Sequence, residues 1–205
     1  MKGIFLTGHS GFVGSYFQKK FSKSFKFSLF DKIVIDGNND HIFLHLAGIA
    51  HDLKKIDDFN LYYQVNTELT KNIFDQFLKS NAKVFIILSS VKAVADELDS
   101  ELTEEHIPNP VTHYGKSKLN AEEYILSNQI PLGKRVYILR PCMIHGPGNK
   151  GNLNLLYKIV SKGLPWPLGA FENKRSFCSI DNLCFIISEL IENENIPTGI
   201  YNIAD

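Results

Sequence analysis

Tyr114 and Lys118 stand four residues apart in Thr112-His113-Tyr114-Gly115-Lys116-Ser117-Lys118. On a helix that spacing puts both side chains on one face. A free tyrosine titrates near pH ~10 and is a poor base at neutral pH. A neighbouring ammonium favours the phenolate, and so does the positive charge of an oxidised nicotinamide. The pair therefore suits removal of a proton from a hydroxyl while hydride leaves its carbon, and return of that proton in the reverse direction. Lys118 is also placed to hold a nicotinamide ribose. Ser90 follows the apolar run Lys83-Val84-Phe85-Ile86-Ile87-Leu88 and Ser89, where its hydroxyl can bridge a substrate oxygen and the phenol. A lone Tyr-x-x-x-Lys is commonly just a solvated helix pair. The Ser-Ser strand end and an upstream glycine loop give this one its weight.

That loop is Thr7-Gly8-His9-Ser10-Gly11-Phe12-Val13-Gly14. Lys2 to Thr7 reads as a short apolar strand, and Phe12 to Phe21 carries apolar residues at helical spacing. Strand, glycine turn and helix form the context that a dinucleotide fingerprint requires. The glycines admit a pyrophosphate close to the backbone, and the helix N-terminus offers N–H groups and a positive dipole end. An acid is expected roughly 20 residues on, to bind the adenosine ribose. Asp31, at the end of Lys26-Phe27-Ser28-Leu29-Phe30, fits, and a carboxylate there favours NAD over NADP. Asp36, after Ile33-Val34-Ile35, is the alternative, and a plain strand-end turn is the reading without a ligand.

Composition narrows the class. With 44% apolar residues in 205, a sizeable core is available to one domain, or one and a part. The 22 basic and 22 acidic residues cancel, and no basic stripe points to nucleic acid. Cys142, Cys178 and Cys184 form no CxxC pair and are an odd count. They are expected as free thiols in a reducing compartment, serving as small buried apolar residues. No apolar run reaches the ~20 residues of a membrane span, and the first is cut at once by the glycine turn, so a cytoplasmic protein is expected. No metal-binding pattern is present.

Ile42 to Gly48, Lys83 to Leu88, Arg135 to Leu139 and Ile200 to Ile203 read as further strands, the third stopped by Arg140-Pro141. Asp57 to Lys79, Thr112 to Ser127, Leu153 to Lys162 and Asn182 to Glu192 read as helices. Alternation of strands and helices predicts an α/β fold, a doubly wound parallel sheet of Rossmann type. The stretch 146–175 is different, because two Gly/Pro clusters flank a short helix. It is expected to be a partial substrate lobe inserted between a dinucleotide-binding part (1–145) and a returning part (176–205).

These motifs together resemble the extended short-chain dehydrogenase/reductases, in the nucleotide-sugar epimerase/dehydratase branch, over nearly the whole chain. The glycine loop is similar to that branch's TGxxGFVG, and His45-Leu46-Ala47-Gly48 to its HLAA/HLAG strand end. Asn66 and Thr70 resemble the Asn and Thr of the helix under the active site, and Arg140-Pro141 resembles the RP pair beside the nicotinamide. The segments Gly146 to Leu153, Gly163 to Gly169, Asn173 to Ser176 and Ile180 to Leu183 resemble a subgroup acting on UDP-hexoses and UDP-N-acetylhexosamines. The resemblance implies Ser90, Tyr114 and Lys118 as catalytic residues. It implies Gly8, Gly11, Phe12, Val13, Gly14, Asp31, Leu46, Ala47, Gly48, Asn66, Ser89 and Pro141, with Tyr114 and Lys118, as cofactor contacts. It implies Asn152 and Arg175, with Ser90, as substrate contacts, the first two on the diphosphate; a guanidinium fork suits phosphate oxygens.

The activity so implied is NAD-dependent C4 epimerisation of a UDP-sugar through a 4-keto sugar. A reductase of a UDP-4-keto-6-deoxy-hexosamine and a non-catalytic dinucleotide-binding protein are the alternatives. A 4,6-dehydratase fits less well, because Val91-Lys92 rather than an acid pair follow Ser90. A homodimer is implied through the helices bearing Asn66 and Tyr114; Leu61, Leu69, Ile73, Phe77, Leu119 and Ile125 are candidates for that contact or for the core, and most are assigned to the core. The chain departs from the branch in three places. His145 replaces a usual Tyr; the segment from Asp31 to His45 is short, as if a helix–strand unit were trimmed; and relatives continue past the position of Asp205.

Overall fold

A computed structural model describes residues 1–29, 41–50, 59–98, 100–149, 157–163 and 175–205. Six parallel strands form the sheet: β1 (Lys2–Thr7), β2 (Phe25–Leu29), β3 (His41–His45), β4 (Val84–Leu88), β5 (Arg135–Pro141) and, last in the chain, β8 (Gly199–Ile203). Their order is β2-β1-β3-β4-β5-β8. The order reverses between β1 and β3, which makes the sheet doubly wound and puts the switch point beyond Thr7 and His45. Two short strands outside it, β6 (Met143–His145) and β7 (Phe177–Ser179), pair parallel with each other.

Side chains alternate across the sheet, so each strand feeds two cores. Ile4, Leu6, Ile42, Leu44, Val84, Ile86, Tyr137 and Leu139 face α1 (Phe12–Lys20) and α5 (Ile180–Glu192), where Val13, Phe17, Leu183 and Ile187 meet them. Phe5, Phe43, Phe85, Ile87, Val136 and Ile138 face α3 (Leu69–Lys79) and α4 (His113–Ser127). This second core is rich in phenylalanine: Phe74 meets Phe85 edge-on at 5.1 Å, and Phe43 meets Phe77 at 5.7 Å. Ile73, Phe77 and Ile125 belong to it, while Leu61 is exposed and Leu69 and Leu119 are partly buried.

Two elements differ from the sequence expectation. The helix over 57–79 is described from Asn60 and is not uniform: α2 (Asn60–Tyr62) passes through a π-helical stretch (Tyr63–Glu68) into α3. The widened turn brings the buried polar pair Asn66 and Thr67 to the face that meets the sheet's end. Strand β5 continues through Arg140 and Pro141 rather than stopping before them. Pro141 is tolerated because Cys142 N–H bonds Ile203 on the β8 side. The nitrogen of Pro141 therefore faces the β4 side, where β4 has already ended at Leu88. Residues 157–160 are helical, as expected, and 151–156 lie outside the described residues. Among the described residues, no helix is long and apolar enough to cross a membrane, and no cluster of His, Cys, Asp or Glu is arranged to hold a metal ion.

Candidate active site

A cleft of about 710 Å³ opens beyond the carboxyl ends of the strands at the switch point. One wall is the glycine loop between β1 and α1, with Gly8, Gly11, Phe12, Val13 and Gly14 all lining it. Gly8 has φ 71°, and a Cβ on Gly14 would stand 2.2 Å from the Gly8 carbonyl oxygen. Only glycines let the turn close this tightly. The N-cap of α1 is Gly11, no side chain caps the helix, and its first turn carries no acid. A helix N-terminus left open to the cleft in this way fits a pyrophosphate.

The opposite wall carries Ser90, Tyr114 and Lys118, the residues expected to handle a proton. Thr112 caps α4, its hydroxyl accepting Gly115 N–H at 3.1 Å, so the helix begins at His113 and presents Tyr114 and Lys118 on one face. The Thr112 end is held by Asp96, whose carboxylate accepts N–H bonds from Val111 and Thr112 at 2.9 and 3.1 Å. Lys118 is buried, and its Nζ donates to the Leu88 carbonyl at 2.9 Å. Burial pulls its pKa down to about 8, with the negative charge of Glu122 acting the other way. Burial pushes the Tyr114 phenol above its ordinary value, and hydrogen bonding with Ser90 pulls it back. In this state the phenol is protonated and the lysine is largely charged at pH 7.

Beneath the cleft floor the inward polar residues form an ordered chain of hydrogen bonds. The Thr70 hydroxyl donates to the Asn66 carbonyl at 2.8 Å, so at 2.9 Å from His45 Nε2 it accepts. His45 therefore carries its proton on Nε2, and its bare Nδ1 accepts from the Thr7 hydroxyl at 2.6 Å. Thr7 in turn accepts Ala47 N–H at 3.2 Å. Burial, with the nearby Lys118 charge, lowers the His45 pKa to about 3, which keeps the ring neutral. Asn66 clasps Ile49 through both its N–H (2.8 Å) and its carbonyl (3.1 Å), and donates to Ser117 Oγ at 3.0 Å. The chain ties β1, β3, α3 and α4 together directly behind the site.

Most residues expected at the site converge on the cleft. Ser90, Tyr114 and Lys118 line it, as do Leu46, Gly48, Ser89 and Pro141. Ala47 and Asn66 do not line it; they sit in the hydrogen-bonded layer behind. Arg175 is exposed, two residues before β7, and is not among the lining residues. Asp31, Asp36 and Asn152 lie outside the described residues. The sequence reading missed Ile49, Ala50, Cys142, Ile144 and Asn149, which also line the cleft. Ile49, Ala50, Cys142 and Ile144 follow closely on recognised motifs and Asn149 lies inside one, so reading those motifs a few residues further was the available signal. It also missed Glu122, one helical turn past Lys118 and fully buried. The three cysteines are free thiols; Cys178 and Cys184 are buried and held protonated, their pKa pushed up to about 12, and Cys142 is half-buried.

Comparison with known proteins fits this geometry. The profile of the NAD dependent epimerase/dehydratase family matches residues 26–204. A UDP-glucose 4-epimerase of Vibrio cholerae is 31% identical, over 100% of this chain and 71% of that protein. An N-acetyl-alpha-D-glucosaminyl-diphospho-ditrans,octacis-undecaprenol 4-epimerase of Escherichia coli O157:H7 is 28% identical, over 98% of this chain and 67% of that one. The crystal structure of UDP-N-acetylglucosamine 4-epimerase from Bacillus cereus superposes on the whole chain, and on 78% of its own, with a TM-score of 0.81 at 21% identity. At that identity the likeness speaks for the fold, whereas the profile match and the Vibrio relative speak for descent. This chain, an enzyme whose cofactor is NAD, belongs to the NAD dependent epimerase/dehydratase family.

Proposed function

We propose that the chain interconverts the C4 epimers of a UDP-hexose or UDP-N-acetylhexosamine through a 4-keto sugar, with NAD retained through the cycle. The observation that carries this reading is the convergence of Ser90, Tyr114 and Lys118 on the cleft that also holds the glycine loop. The relatives from Vibrio cholerae and Escherichia coli, both named as 4-epimerases, support the position of attack, and the Vibrio relative, named for UDP-glucose, supports a UDP-sugar as substrate.

Bound NAD supplies what the side chains lack, an acceptor and donor of hydride at the sugar carbon. The chain does the rest. The glycine loop and the open end of α1 hold the pyrophosphate, and Lys118 holds the ribose. Ser90 orients the C4 oxygen against the phenol of Tyr114. Tyr114 takes the hydroxyl proton once the cationic surroundings have lowered its pKa, and returns it after the keto sugar has turned its other face. Asn152 and Arg175 hold the diphosphate. Two copies pair through the α2–α4 helices, where exposed Leu61 and Leu126 offer apolar contact.

The test uses purified protein, UDP-glucose and UDP-N-acetylglucosamine, without added cofactor. Formation of the C4 epimer of either, with NAD released on denaturation, is expected. Tyr114→Phe should lose turnover by roughly 10²–10⁴-fold while binding NAD as before. Consumption of added NADPH by a 4-keto sugar, with no epimer from either substrate, would overturn the proposal in favour of a reductase.

A further inference from the structure

Three consecutive residues at the end of β4 are each tied to α4. The Leu88 carbonyl accepts from Lys118 Nζ. The Ser89 hydroxyl donates to the Glu122 carboxylate. Ser90 hydrogen-bonds with the Tyr114 phenol. Tyr114, Lys118 and Glu122 occupy successive i, i+4 and i+8 positions, so one ridge of one helix grips one strand end.

The middle tie is the costly one. A lone carboxylate as deeply buried as Glu122 would not stay ionised. It is held by Arg140, whose Nε reaches both carboxylate oxygens at 3.1 Å and whose Nη2 reaches one at 2.5 Å. Both side chains are almost sealed from solvent, at 1% and 3% exposure. Stability alone is a poor reason for such a pair, since apolar residues of similar volume commonly serve as well or better. Its position gives a better reason: it sits one turn beyond Lys118, beside the residue that precedes Ser90, and against the strand that delivers Pro141 to the cleft.

We infer that Glu122 is a positioning residue for the reaction proposed above, and the role rests on that reading. Glu122 locks Ser89, and with it Ser90, in register with Tyr114, and supplies the negative charge that faces the Lys118 ammonium. The other groups around Lys118 do not supply it. His45 on β3 is neutral, Tyr114 on α4 is a neutral phenol, and Tyr62 on α2 packs edge-on against Tyr114 at 6.2 Å. Arg140 on β5 is a cation already engaged by Glu122. Glu122 is the group whose charge opposes the effect of burial on Lys118.

The experiment is a titration of the full chain labelled with ¹³C at the lysine ε-carbon, the Lys118 signal being the one lost in Lys118→Met. The wild type is expected to titrate near pH 8. Glu122→Gln keeps the shape and an acceptor for Ser89 but removes the charge, and the midpoint should fall by roughly half a unit or more. The alkaline limb of kcat should move with it, while KM for the sugar stays nearly constant. If the unpaired guanidinium unfolds that variant, Glu122→Gln/Arg140→Gln is compared with Arg140→Gln, and the midpoint must be lower in the former, where the carboxylate charge is the difference. A midpoint left at the wild-type value in the folded variant overturns the inference. The titration needs no turnover, so a wild type inactive on both UDP-sugars would sink the functional reading and leave the charge measurement to decide separately.

Discussion

Lys118 is kept where its own charge is disfavoured. Its folded pKa of about 8 lies below the ordinary 10.5, a difference worth roughly 3 kcal/mol against the folded state when the ammonium is present in both states. The unfolded chain binds the extra proton between those two values, so this penalty is fully present below pH 8 and is relieved as pH rises towards 10.5. Lys118→Met should therefore raise stability at pH 7 by about 1–2 kcal/mol, allowing for the Leu88 carbonyl left without its donor, and the gain should vanish near pH 10.5. Urea unfolding at the two pH values checks it, and a loss of stability at pH 7 would contradict it. Ser90, Tyr114 and Lys118 were legible in the sequence because their relation is local or sits at a strand end. Glu122 was not, because its partners come from the ends of β4 and β5 and only the fold brings them together.

At the scale of elements, apolar alternation and glycine spacing carry most of the fold. Strand β1, helix α1, strand β4, helix α4 and strand β8 fall within a residue or so of where the pattern puts them. Strands β6 and β7 escaped notice because three residues are too few to show a period. The π-helical stretch was equally invisible: what widens the turn is the need of Asn66 and Thr67 for partners at Ile49 and Ser117, not any local propensity. The glycine loop yields a prediction at this scale. In Gly14→Ala the new methyl meets the Gly8 carbonyl oxygen and the first backbone atoms of His9, so α1 must move off β1. NAD affinity should drop at least ~10-fold, on the order of 1.4 kcal/mol, with helix content retained; calorimetric titration showing wild-type affinity would contradict the loop's assignment as the pyrophosphate seat.

Across the whole molecule, each core face of the sheet is apolar along the strands, and the α3/α4 face turns polar at their carboxyl ends, through Thr7, His45, Ser89 and Arg140. Of these, His45 links global stability to pH. Its folded pKa of about 3 lies below the ordinary 6.5. The unfolded chain thus takes up a proton that the folded chain refuses, and stability present above pH 6.5 is lost as pH falls towards 3. By pH 4.5 the wild type should lose roughly 2–3 kcal/mol from this group alone, and His45→Gln, though less stable at pH 7, should show a correspondingly shallower loss. Denaturant midpoints measured from pH 7 to 4.5 decide it; parallel slopes would mean that other groups govern acid sensitivity. Strand β8 carries a different consequence. It completes β5 by pairing Tyr137 with Gly199 and Pro141 with Ile203, the widest separation in sequence of any strand pair in the sheet. Closing so long an excursion costs chain entropy before any contact repays it. The strand that brings Pro141 to the cleft is thus the last to gain its second neighbour. During synthesis the glycine loop can form early, whereas the Pro141 wall of the cleft matures only once residues 199–203 have emerged.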